Sequence, residues 1–221
     1  MRDDLQRYAC ELADVVQNMP FRAVAAAAEM LLACHRRGGT IFVMGNGGSA
    51  ATASHFACDL AKGTRADGIP PFRVIPLTDN VPLLTAWGND TQYDRIFAEQ
   101  LVNLVRAGDS VVLISASGSS PNVVAAAEAA HGARADTIAL TGRSGGQLRD
   151  LVDLVVRVPS DCIEQVEDAH LAIAHGICVA LRNCLRSGED TPANVVPLPR
   201  TEDGSPVGTE ARRRVTSLPR V

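Results

Sequence analysis

Between Asp3 and about residue 37, apolar side chains recur three and four apart: Leu5, Tyr8, Leu12 and Val15, then Val24, Ala27, Met30, Leu31 and Cys34. Met19-Pro20 interrupts the series. Residues at i, i+3 and i+4 share a helix face, so the spacing predicts two helices. Gly38-Gly39 ends the second, and "TIFVMG" (40–45) follows as a short continuous apolar run, the mark of a buried strand. The chain then alternates. A helix is predicted over 50–61, a strand over "FRVIPL" (72–77), a helix over 91–106, a strand over "SVVLISA" (110–116) and a helix over 121–132. The strand "DTIALTG" (136–142), a short helix at 145–150, the strand "LVVRVP" (154–159) and a helix at 163–186 complete the series. Strands alternating with helices predict an α/β fold, a parallel sheet covered on both faces. Ligands of such a sheet bind beyond the carboxyl ends of its strands.

The rhythm stops near Ser187, beyond which five of the twelve prolines lie among Gly, Thr, Asp, Glu and Arg. Residues 1–186 therefore read as one domain and 187–221 as a disordered tail, with "ARRRV" in it a solvated charge run. At 221 residues, 46% of them hydrophobic, the chain is long enough for one sizeable core. A net charge of -4 supplies no global field for nucleic acid or an anionic membrane, so any anion site has to be local. The six cysteines form no CxxC pair and read as reduced thiols. No apolar signal core opens the chain, and no stretch approaches the ~18 apolar residues of a membrane span, so a cytoplasmic protein is expected.

Two strand-to-loop transitions are suited to holding an anion. In "MGNGGSA" (44–50), three glycines let backbone N–H groups converge. Asn46 tolerates unusual dihedrals there, and Ser49 is read as a helix N-cap. In "ISASGSSPNVVAA" (114–126), a buried strand leads into Ser115, Ser117, Gly118, Ser119 and Ser120, with Pro121 at a first helical position. Hydroxyls beside a helix N-terminus take up phosphate oxygens without net positive charge. Together the loops point to a phosphorylated small molecule. "LTGRSGG" (140–146) reads as a turn with a helix start at Ser144-Gly145, and "WGNDTQYD" (87–94) as a polar loop before a helix. Asp90 in it is either an N-cap or a contact to a substrate hydroxyl.

His55 and Asp59 lie four apart and share a helix face just past the glycine loop. Glu167 and His175, eight apart on the last helix, can point into the same cavity. A His and a carboxylate from each of two helices suit zinc, or can move protons at a carbon next to a carbonyl. His131 and His170 read as structural.

The segments "GNGGSAATASHFACDL", "GND", "SASGSSPNVVAA", "ALTGRSGG" and "EDAHLAIAHGI" together resemble the sugar isomerase (SIS) domain family, in its phosphoheptose isomerase branch, over about residues 3–186. The resemblance implies a three-layer, doubly wound, flavodoxin-like SIS fold with N-terminal helices, in a homotetramer with active sites at subunit interfaces. It implies isomerisation of sedoheptulose 7-phosphate to a heptose 7-phosphate through an enediol. It places phosphate on Ser115, Ser117 and Ser120, and the sugar against Asn46, Gly47, Ser49 and Asp90. It assigns zinc to His55, Asp59, Glu167 and His175, with Asp59, Glu167 and His175 moving protons. Two positions depart from the family pattern, Asp59 replacing a Glu and Glu167 replacing a Gln, and the Arg expected after the first of these helices is absent. The product's C2 configuration, manno or another such as altro, is therefore open. The same domain also serves as a non-catalytic sugar-phosphate sensor or as a partner of the replication initiator DnaA, the alternative reading.

Overall fold

The computed structural model describes residues 1–187, so the predicted tail falls almost wholly outside the described residues. Two helices, α1 (Arg2–Gln17) and α2 (Phe21–Arg36), precede strand β1 (Thr40–Gly45) and helix α3 (Gly48–Cys58). Helix α3 widens into one π turn, Asp59–Gly63. Strand β2 (Arg73–Pro76), α4 (Val81–Asp90), α5 (Ala98–Leu104), β3 (Ser110–Ile114) and α6 (Pro121–Gly132) follow. Strand β4 (Asp136–Thr141), β5 (Leu154–Arg157) and α7 (Ile163–Ser187) complete the fold.

All neighbouring strands pair parallel, in the order β2-β1-β3-β4-β5. This is the doubly wound flavodoxin-like order, and the connections reverse direction between β1 and β3. Alternate residues of each strand supply opposite faces, which is why the apolar runs are continuous. Ile41, Val43, Val112 and Ile114 pack with Phe56 of α3, Leu31 of α2 and Ile173, Ile177 and Leu181 of α7. Phe42, Met44, Val111 and Leu113 face Phe97 and Leu101 of the α5 region and Val123, Ala126 and Ala130 of α6. Burial of each such large side chain contributes about 2 kcal/mol of transfer free energy, and the two clusters make three layers. Among the described residues, no helix is long and apolar enough to cross a membrane.

The structure corrects several sequence expectations. Helix α4 occupies a stretch with no predicted element; Asn80 caps it by accepting from the Leu83 amide at 3.2 Å, and Pro82 lies in its first turn. None of its residues is buried, so it carries no strong apolar period. Asn89 and Asp90 therefore end a helix instead of preceding one, and Asp90 is not an N-cap. The helix expected over 91–106 shortens to a 3-10 turn at Tyr93–Arg95 and α5, because Gln92 is extended. Residues 145–150 form a 3-10 turn, Gln147–Asp150, in place of a helix.

His170, on the inner face of α7, is 1% exposed. Burial pushes its pKa down to about 4, outweighing an approach to the Thr141 backbone that acts in the opposite sense. The folded protein thus keeps the ring neutral where the unfolded chain, near 6.5, takes up a proton. Stability from this group is complete above pH 6.5 and declines as pH falls toward 4, by about 3 kcal/mol at the plateau. Urea unfolding at pH 7 and pH 4.5 is expected to show that loss in the parent, and a decrease smaller by about 2 kcal/mol in His170→Leu.

Candidate active site

The glycine loop begins where β1 and β3 end side by side. A Cβ on Gly45 would lie 2.8 Å from the Ile114 carbonyl oxygen and 2.7 Å from Ser49 Cβ, so a side chain there would force the strand ends apart. Gly47 takes φ +54° and precedes α3, whose first residue is Gly48. Ser49 is consequently a buried first-turn residue and not the N-cap, a second correction. The unpaired amides of this turn face outward at the helix's positive end.

The serine loop leaves the adjacent strand. Ser115 Oγ lies 3.4 Å from Ser117 Oγ and 3.1 Å from Ser120 Oγ, and Ser117 Oγ accepts from the Ser119 amide at 3.2 Å. Three hydroxyls are thereby gathered at the N-terminus of α6. The 140–148 segment buttresses them: the Gly142 amide donates to Ala116 O at 2.9 Å, Leu148 N to Gly118 O at 2.9 Å and Gln147 N to Ser119 Oγ at 3.2 Å. Beyond the β1–β3 ladder, Asn46 and Asn122 tie the two loops through a reciprocal pair of side-chain hydrogen bonds.

Helix α3 presents His55 and its π turn presents Asp59 toward α7. His55 Nε2 and His175 Nε2 are 3.3 Å apart, and Asp59 Oδ2 is 3.5 Å from the first and 3.6 Å from the second. The rings meet edge to face, with centroids 4.9 Å apart. Tetrahedral zinc with ligand bonds near 2.0–2.1 Å sets its donors about 3.3 Å apart, so the three residues fit a divalent cation with a coordination position open. Cys178, one turn beyond His175, is pushed up to about 12 by burial and then by the Asp59 charge, so its sulfur stays a thiol.

Glu167 is placed apart from these three. Its carboxylate occupies the space a Cβ on Gly48 would fill, with Oε1 2.6 Å and Oε2 2.7 Å from that position. It lies against the N-terminus of α3, between the glycine loop and the His-Asp-His group. Beyond Asn46, a cavity of about 360 Å³ is lined by Gly47, Thr78, Thr85 and Tyr93 and closed by Leu84 and Phe97. Ser54, Thr78 and Asp79 are hydrogen-bonded together beside it. Asp90 is exposed and accepts from Asn89 Nδ2 at 2.9 Å, two residues beyond Gly88 of the cavity wall. Sequence reasoning missed Asn122, Tyr93, Thr78 and Asp79. The signal available for Asn122 was a polar residue at the start of an otherwise alanine- and valine-rich helix.

Sheet order, paired loops and a His-Asp-His group define an α/β domain with a metal-capable site, and the SIS domain model matches residues 6–142. Phosphoheptose isomerase of Laribacter hongkongensis is 38% identical over 169 residues, 75% of this chain and 86% of that protein. That of Roseiflexus sp. is 41% identical over 164 residues, 73% and 82% of the two chains. The structure of phosphoheptose isomerase from Neisseria gonorrhoeae superposes with a TM-score of 0.77 at 32% identity, covering 82% of this chain and 98% of that one. The chain belongs to the SIS domain family, on its phosphoheptose isomerase branch.

Proposed function

We infer that the protein is a sugar-phosphate isomerase converting sedoheptulose 7-phosphate to a D-glycero-heptose 7-phosphate. The observation that carries the reading is the His55, Asp59 and His175 group, two of whose members ride on the helix that leaves the glycine loop, together with a gathered serine loop laced to that glycine loop. Ser115, Ser117 and Ser120, with the α6 N-terminus, hold the phosphate. The amides of Gly47 and Gly48 meet the sugar, and Ser49 and Asn46 shape the loop that carries them. Asp90, near the cavity wall, is assigned to a sugar hydroxyl.

His55, Asp59 and His175 hold the metal, zinc in this reading. A metal held there would supply Lewis-acid stabilisation of negative charge developing on the sugar oxygens. A base removes one proton from C1 of the ketose, the C1 hydroxyl proton is released as the C2 oxygen gains one, and the base returns a proton to C2. Glu167, whose carboxylate lies against Gly48 at the start of α3 and outside the three-ligand group, is assigned to carry the carbon-bound proton. Asp59 and His175 orient the oxygens and complete the relay. The face of C2 that receives the proton sets the product's configuration, and the shorter Asp59 and the carboxylate of Glu167 bear on it directly.

Phe21 is 59% exposed beside an apolar groove of about 250 Å³ between α2 and α7. This supports subunits meeting through these helices; the further reading, a cytoplasmic homotetramer with active sites closed at the subunit interfaces, is proposed with it. Nuclear magnetic resonance of sedoheptulose 7-phosphate incubated with the metal-loaded protein tests the reading, an aldose 7-phosphate being the expected product.

A further inference from the structure

Register between strands β1 and β3 ends at Gly45 opposite Ile114, immediately before both loops. Past that point their connection passes through side chains. Asn46 Nδ2 donates to Asn122 Oδ1 at 2.8 Å, and Asn122 Nδ2 donates back to Asn46 Oδ1 at 2.8 Å. The Tyr93 hydroxyl donates to the same Asn46 oxygen at 3.1 Å. A carbonyl oxygen has two lone pairs, so the acceptor capacity of Asn46 is filled and one of its two N–H bonds is committed. Asn122 is 1% exposed and is fixed by α6, the helix whose N-terminus carries the serine loop. So constrained a side chain works as a tie.

We propose that Asn122 is a positioning residue of the isomerase: its reciprocal amide pair with Asn46 sets the glycine loop relative to the serine loop. With the phosphate seated on the serines, that spacing decides which sugar carbons reach Glu167 and the His-Asp-His group. Asn46 is then a structural partner of Asn122 more than a ligand of the sugar. The proposal rests on the isomerase reading for its kinetic consequence, but not for its structural one. Loss of Asn122 leaves the Asn46 N–H unpaired, with its oxygen held by Tyr93 alone, and loosens the glycine loop. Displacement of a reacting atom by about 1 Å costs on the order of 10²-fold in rate.

The test uses the full-length, metal-loaded protein. Asn122→Ala removes both bonds, and Asn122→Asp, of nearly the same shape, keeps the acceptor for Asn46 Nδ2 while placing a second acceptor against Asn46 Oδ1. In both variants kcat is expected to fall about 10- to 100-fold. KM for the sugar phosphate and the inhibition constant of inorganic phosphate should stay within about threefold, because the serine loop is untouched. Asn46→Ala should match Asn122→Ala, and the double variant should lose no more than about threefold beyond either single one. Independently of turnover, amide hydrogen exchange at Ala50 and Ala51, whose N–H groups donate to the Asn46 and Gly47 carbonyls of the loop, should quicken about tenfold or more in Asn122→Asp while α7 is unchanged. Unchanged exchange, a kcat within about threefold of the parent, or losses at Asn46 and Asn122 that multiply would each overturn the proposal. A parent protein inert on sugar phosphates refutes the isomerase reading instead, and leaves the exchange measurement to judge the tie.

Discussion

Replacing His175 with alanine is expected to lower turnover about 10³-fold and to abolish tight metal binding, with little change in thermal stability. The imidazole contributes one nitrogen to a group whose donors all lie within 4.8 Å of one another. With it gone, His55 and Asp59 remain as two ligands on a single helix, too few to retain a divalent ion against solvent. His175 is 48% exposed and contributes little to the core. Helix α7 is anchored instead by Ile173, Ile177 and Leu181. Steady-state kinetics and titration calorimetry with zinc, and melting curves of the metal-free parent and variant, check the three parts. A melting temperature that fell together with activity would show that His175 supports the helix and not the chemistry.

Gly118→Ala should be the most damaging small substitution in the serine loop. Gly118 has φ +63°, and a Cβ there would lie 2.1 Å from the Gly145 carbonyl oxygen and 2.5 Å from its carbon, backbone atoms that cannot swing aside. The left-handed conformation costs an L-residue roughly 1–2 kcal/mol. The clash adds to this by forcing the serine loop off its buttress, so a total of about 4 kcal/mol or more is expected. Gly47→Ala is the natural control. Its φ is +54°, but nothing lies within 4 Å of the added Cβ, so only the conformational cost applies. Urea unfolding of both variants measures the contrast, and the KM for sugar phosphate should rise in Gly118→Ala if the protein still folds. Equal destabilisation of the two variants would contradict the packing described for the three loops.

The strands were legible because β1 and β3 are buried on both faces, which requires unbroken apolar runs such as Ile41–Met44 and Val111–Ile114. The tail and helices α2, α6 and α7 followed from punctuation by Gly and Pro; the tail's own conformation lies outside the described residues. Helix α4 was illegible by periodicity because it buries no side chain fully, Leu84 and Trp87 packing only partly against the core, although Asn80 and Pro82 mark its start. In the site, the i, i+4 spacing of His55 and Asp59 was readable, whereas their meeting with His175 depends on how α3 and α7 pack. Glu167 was expected to join them. Eight residues along an α-helix leave side chains about 80° apart around its axis, so Glu167 turns toward Gly48 while His175 meets His55. The role of Ser49 shifted because the positive φ of Gly47 lets α3 begin two residues earlier. The one local signal of Asn122, a polar residue opening an alanine- and valine-rich helix, does not reveal its role, because its partner lies 76 positions away.

The central claim is that this site moves a proton between adjacent carbons of a sugar phosphate. Sedoheptulose 7-phosphate incubated in D2O with the zinc-loaded protein and followed by nuclear magnetic resonance tests it most directly. The account predicts an aldose 7-phosphate carrying deuterium at C2, formed by the loaded protein and not after chelation. No aldose phosphate from the loaded, folded protein would contradict it.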